Sequence, residues 1–173
     1  MRRFPSLLLF QIVALGACDA REGDHEEGEQ LVAQVSNAEC ASGQRWVGGD
    51  EESSRMHPGG DCMGCHSERG EGPRYLVAGT VFELMAEPDE CFGVDGVTVE
   101  IVDADGQRWD LPTNAAGNFY LAEREGPIAL PYRAAVVMGD ARLEMTTAQA
   151  SGNCASCHTA AGAQGAPGRI VTP

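Results

Sequence analysis

The feature that most limits how this chain can fold is a run of short, turn-bounded segments between residues 76 and 147. Val97-Thr98-Val99-Glu100-Ile101-Val102 alternates with a period of two, as a strand with one buried face requires. Asp103-Ala104-Asp105-Gly106 then supplies an Asp-Gly turn, and residues 107–111 return. Residues 76–82 read as an earlier strand. Asn114-Ala115-Ala116-Gly117 makes another turn, followed by a strand over 118–122. Residues 132–138 and 141–146 pair across Gly139-Asp140. Six or so short strands at regular spacing predict a mainly β fold, a small Ig-like β-sandwich. Met85 and Met138 lie in strand-like surroundings and are expected to fill its core.

The N-terminus has a different character. Met1-Arg2-Arg3 is basic, and the largely apolar stretch from Phe4 to Val13 is too short to span a bilayer permanently. Residues 1–17 therefore read as a secretory signal peptide. Leu15-Gly16-Ala17-Cys18 resembles the lipobox of bacterial lipoproteins, which implies lipidation at Cys18; ordinary cleavage near Ala17 or Ala20 is the alternative. Residues 18–36 would form the attachment point and an acidic tether, since REGDHEEGEQ has too little apolar surface to bury. His25 within it carries no ligand expectation.

The formal net charge is −14, and all twelve basic residues are Arg. Nucleic acid is an unsuitable partner for such a chain, because phosphate binding rests on cationic side chains. Basic redox partners of the cell envelope suit it better.

The chemistry lies in two pentapeptides, Cys62-Met63-Gly64-Cys65-His66 and Cys154-Ala155-Ser156-Cys157-His158. Two cysteines three apart share one helical turn and can add to the two vinyl groups on one haem edge. The following His is then carried beneath the porphyrin to ligate iron. Cys-x-x-Cys-His is the c-type haem attachment signal. A zinc site would need four thiolates from motifs far apart to converge and would leave each His unexplained. A redox dithiol needs a βαβ context absent around both motifs. The expectation is two haem c groups, held covalently by Cys62, Cys65, Cys154 and Cys157, with His66 and His158 as proximal iron ligands.

Distal ligands are sought upstream. Met56 precedes the first motif and Met145 the second. A thioether ligand would raise the potential. His57 is the competitor to Met56 and would give bis-His ligation. Of the seven cysteines, Cys40 and Cys91 are left over and can pair as a disulfide in an oxidising compartment.

Gly79-Thr80-Val81, Val97-Thr98-Val99-Glu100-Ile101, Asp105-Gly106 and Thr113-Asn114-Ala115-Ala116-Gly117-Asn118-Phe119-Tyr120 together resemble a carboxypeptidase-regulatory-like domain. Asn114 stands where that family usually has Asp. The resemblance implies an Ig- or transthyretin-like sandwich and no catalysis. The chain thus divides into a signal peptide (1–17), a lipid-anchored tether (18–36), an N-terminal haem-binding segment (37–75), the sandwich (76–147) and a C-terminal haem-binding segment (148–173). As a whole it resembles bacterial lipoproteins in which such a sandwich is flanked by cytochrome c motifs. No standard class I cytochrome c fold is visible. The expected role is electron transfer in the cell envelope, anchored to a bacterial membrane and facing the periplasm or cell surface. The rivals are a haem peroxidase-like redox enzyme, for which no suitable His-Arg pair is evident, and a non-catalytic binding module stabilised by haem.

Overall fold

The computed structural model describes residues 52–70, 72–87 and 91–173. The signal peptide, Cys18, the tether with His25, and Cys40 lie outside the described residues.

The chain enters through helix α1 (Cys62–Arg69), which Gly70 ends in a left-handed conformation with φ 66°. Strand β1 (Tyr75–Phe82) follows, then β2 (Thr98–Val102), β3 (Arg108–Pro112), β4 (Asn118–Ala122), β5 (Arg133–Met138), β6 (Ala141–Glu144) and β7 (Ile170–Val171). These strands make two sheets, ordered β4-β1-β7 and β3-β2-β5-β6. Every pairing is antiparallel except β1 with β7, where Val81 and Phe82 face Ile170 and Val171 in parallel. The fold is mainly β, a small two-sheet sandwich with the Cys-x-x-Cys-His segments at its flanks, as the strand periodicity predicts.

The two sheets share one core. Val77, Val81, Phe119 and Leu121 come from the three-stranded sheet, and Val99, Ile101, Leu111 and Val136 from the four-stranded one. Val77, Val81 and Leu121 are fully sequestered from water. Burial of such side chains contributes about 1.5–3 kcal/mol each before the entropic cost of ordering them. On the outer face of β2, Glu100 is buried between two guanidinium groups, Arg108 and Arg142, each at 2.6 Å.

Two expectations about packing change. Met85 and Met138 are 45% and 46% exposed, so neither fills the core. Met138 closes β5 at the hairpin with β6, an edge strand whose residues are all exposed. Met85 falls in the turn after β1. Both lie at strand ends, beyond the reach of the facing sheet.

Strand β1 is buried on both faces from Val77 to Phe82. One face meets the sandwich core. The other meets the segment before α1: Gly59 N donates to Thr80 Oγ1 at 2.8 Å, and Thr80 Oγ1 donates to Asn118 Oδ1 at 2.7 Å. This central strand positions both motifs.

Candidate functional site

The two motifs open with the same local geometry. Gly60-Asp61-Cys62 and Gly152-Asn153-Cys154 each place the first cysteine two residues after a glycine, whose carbonyl the thiol reaches at 3.6 Å. Asp61 caps α1, its Oδ1 accepting from Gly64 N at 2.7 Å. Asn153 precedes a single 3-10 turn (Cys154–Ser156) and does not cap it with its side chain. Its Nδ2 instead donates to Asp61 Oδ1 at 2.9 Å, tying the two motifs together directly.

β1 is the rail along which they are aligned. Ala78 N donates to Gly152 O at 3.0 Å, and Ala78 is bridged to Asn153 in parallel. Only glycine fits at 152, where a Cβ would stand 1.7 Å from the Leu76 carbonyl oxygen. Gly79 has the same role one residue along the rail, since its Cβ would lie 2.9 Å from Cys154 Cβ and from the Phe119 ring.

Both histidines are oriented alike. His66 Nδ1 donates to Pro73 O at 2.8 Å and His158 Nδ1 to Gly168 O at 2.9 Å. A carbonyl oxygen only accepts, so each Nδ1 must carry a proton in these bonds. In the neutral ring this leaves Nε2 as a bare lone pair, the form that ligates metal. His158 Nε2 is buried with no hydrogen-bond partner. A buried polar atom without a partner is costly unless something else binds it. His66 packs against Tyr75, with ring centroids 5.1 Å apart and the planes tilted by 35°, and Gly72 lies beside it at φ 73°, where a Cβ would come within 3.1 Å of the ring.

A cleft of about 590 Å³ opens at the second motif. Its walls include Cys154, Cys157, His158 and Met145, and its apolar lining comes from Ile101, Phe119, Val136, Leu143 and Ile170. Residues of β2, β5 and β6 and of the segment between β6 and the second motif line it. That size lies within the ordinary range for cofactor sites, and mostly apolar lining with a few convergent donors is their usual character. Cys154, Cys157, His158 and Met145 lining one mostly apolar cleft make up the donor set that a covalently held haem uses. Met85 also lines this cleft.

The first motif faces a much smaller depression of about 30 Å³, lined by Met56, Cys62, His66, Tyr75 and Tyr120 among others. Met56 lines this depression beside Cys62 and His66. Its carbonyl accepts from Asn118 Nδ2 at 3.1 Å, which fastens it to the sandwich. His57 is exposed at φ 45° and is not among the residues lining the depression.

All four motif cysteines are free thiols, and Cys91 is disulfide-bonded. Burial pushes the Cys154 thiol up to about 12 and raises Cys62 as well. Redox-active dithiols have their thiolates stabilised instead, so these two are poorly suited to disulfide exchange. Among the described residues, no group of three or more His, Cys, Asp or Glu side chains converges as a zinc site would require.

Arg169 joins the pieces from beneath. It is buried, stacks over Phe82 at 5.0 Å, and donates to the carbonyls of Glu87, Gly59 and His158 at 3.1, 3.2 and 3.4 Å. Burial lowers its pKa, and nearby Glu87 opposes that shift. Sequence reasoning missed Asp61, Asn153 and Arg169. A signal for the first two was present, because both motifs are preceded by Gly-Asx; Arg169 gave none. No family model, curated protein or solved structure matches this chain.

Proposed function

We propose that this protein is an exported c-type cytochrome with two covalent haems that carries electrons in the cell envelope. The observation that carries this reading is the His158 imidazole. Its Nδ1 is committed to Gly168 O, its Nε2 is buried without a hydrogen-bond partner, and the residue lines a cleft together with Cys154, Cys157 and Met145. Haem, when bound, supplies a one-electron iron couple; the chain supplies attachment, ligation and dielectric. Cys62, Cys65, Cys154 and Cys157 would hold the macrocycles by thioethers, and His66 and His158 would offer Nε2 to iron. Met145 offers a thioether at the second site and Met56 at the first. The apolar side chains lining this cleft would disfavour the more highly charged ferric state and so raise the potential there. The remaining parts of the reading are a signal peptide over residues 1–17, a lipid anchor at Cys18 and a Cys40–Cys91 disulfide. They place the protein on a bacterial membrane, facing the periplasm or cell surface, where acidic charge favours basic redox partners. The carboxypeptidase-regulatory-like sandwich serves as scaffold.

The test is a pyridine haemochrome assay with intact mass on the full chain made alongside haem-maturation machinery. Two covalent haems per chain are expected. A chain that leaves that machinery with four free motif thiols would overturn the proposal.

A further inference from the structure

We infer that Asp61 and Asn153 form a clasp that fixes the two haem sites against each other, so that they act as one coupled pair and not as two independent carriers. This rests on the reading that both motifs carry haem. Each clasp residue immediately precedes the first cysteine of its motif, so the cross-motif bond of 2.9 Å lies one residue from a thioether anchor on either side. The same Asp61 oxygen caps α1 through Gly64 N at 2.7 Å, which orients the helix carrying Cys62, Cys65 and His66. On the other side, Asn153 is held on β1 by its bridge to Ala78. Cys62 and Cys154 lie near enough to interact electrostatically. Phe119 lines both the depression at the first motif and the cleft at the second. Within such a pair one electron leaves a ferrous iron and reduces a ferric one, with no bond made or broken and no proton moved. Asp61 and Asn153 are positioning residues; neither touches iron.

The substitution that isolates the clasp is Asn153→Ala. It removes the cross-motif donor and leaves the Asp61 cap on Gly64 intact. Asp61→Asn is the conservative control, because its amide oxygen can still accept from both partners. The readout is circular dichroism in the Soret band of the full, dihaem chain, where two closely held haems give a paired positive and negative signal that depends on distance and angle. Haem content is counted first. With two haems present, the native protein is expected to show the paired signal, Asn153→Ala to lose most of its amplitude, and Asp61→Asn to keep it. If Asn153→Ala takes up fewer than two haems, Asp61→Ala is read in its place with the same expectation. A native dihaem protein without the paired signal, or a clasp variant in which it is unchanged, would overturn the inference and leave the dihaem reading standing. A native chain without two haems would instead defeat the dihaem reading itself.

Discussion

His158 Nδ1 lies 2.9 Å from the carbonyl oxygen of Gly168, ten residues further along the chain. That contact decides the tautomer of the neutral ring, because the backbone acceptor takes the Nδ1 proton and leaves the lone pair on Nε2. Pro73 does the same for His66 at 2.8 Å. In the haem-loaded protein, His158→Ala is expected to convert one of the two haems to a high-spin form and to leave the other low-spin. Electron paramagnetic resonance checks this, and added imidazole should restore the lost ligand.

Met145 and Met56 are predicted to complete the iron coordination. A weak near-infrared band from methionine ligation in the ferric protein should fall in Met145→Ala and in Met56→Ala separately, and vanish in the double variant. A lower potential should accompany each loss, since the thioether favours ferrous iron. An unchanged band in both single variants would transfer the role elsewhere, with Met85 the next candidate at the second site and His57 at the first.

Gly152→Ala should be among the most damaging single-methyl additions in the chain. Its Cβ would meet the Leu76 carbonyl oxygen at 1.7 Å, so the Ala78–Gly152 hydrogen bond has to break. A loss of about 3 kcal/mol is expected, at the upper end for overpacking. Gly79→Ala meets side-chain atoms at 2.9 Å instead and should cost roughly 1–3 kcal/mol. Urea denaturation of the two variants gives the ranking.

In chain made without haem, Cys154 should resist alkylation. Its thiol is pushed up to about 12 by burial, against about 8.5 for an unfolded cysteine. Only the thiolate reacts, so at pH 8 the folded protein should modify Cys154 about a thousand-fold more slowly than denatured chain. Timed iodoacetamide labelling with peptide mapping measures the ratio, and equal rates would contradict the raised thiol pKa of this half-buried cysteine.

Asp103 gives the fold an acid-sensitive point. Its carboxylate accepts from Ala129 N at 3.0 Å, Gln107 N at 2.8 Å and Asp105 N at 3.0 Å, which lowers its pKa. A depressed carboxylate pKa adds stability that is fully present above the unfolded value, about 3.9, and is lost as pH falls through the folded one. Asp103→Asn should therefore lower the melting temperature at neutral pH and flatten its fall in acid. Thermal scans between pH 7 and pH 3 compare the two proteins.

The sequence alone determined the β class, because periodicity of two and Asp-Gly or Gly-bounded turns are local signals. The hairpin at Gly139-Asp140 and the turn at Asp105-Gly106 fall where their residues place them. It also determined the donor chemistry, since Cys-x-x-Cys-His puts two thiols and an imidazole on one turn whatever the rest of the chain does. Tertiary structure alone decided how those donors are arranged. Residues 153 and 61 are 92 positions apart, and only the alignment of both segments along β1 brings Asn153 to Asp61. The same holds for Met85 and Met138, whose apolar character says nothing about whether the facing sheet reaches them. It holds also for the cleft beside His158, whose walls come from residues as far apart in sequence as Met85 and Ile170. Nothing in the local pattern around Ile170-Val171 forecast a parallel strand beside β1. Pairings across long sequence distances depend on which surfaces remain unburied once the local elements have formed, and that is a property of the packed molecule.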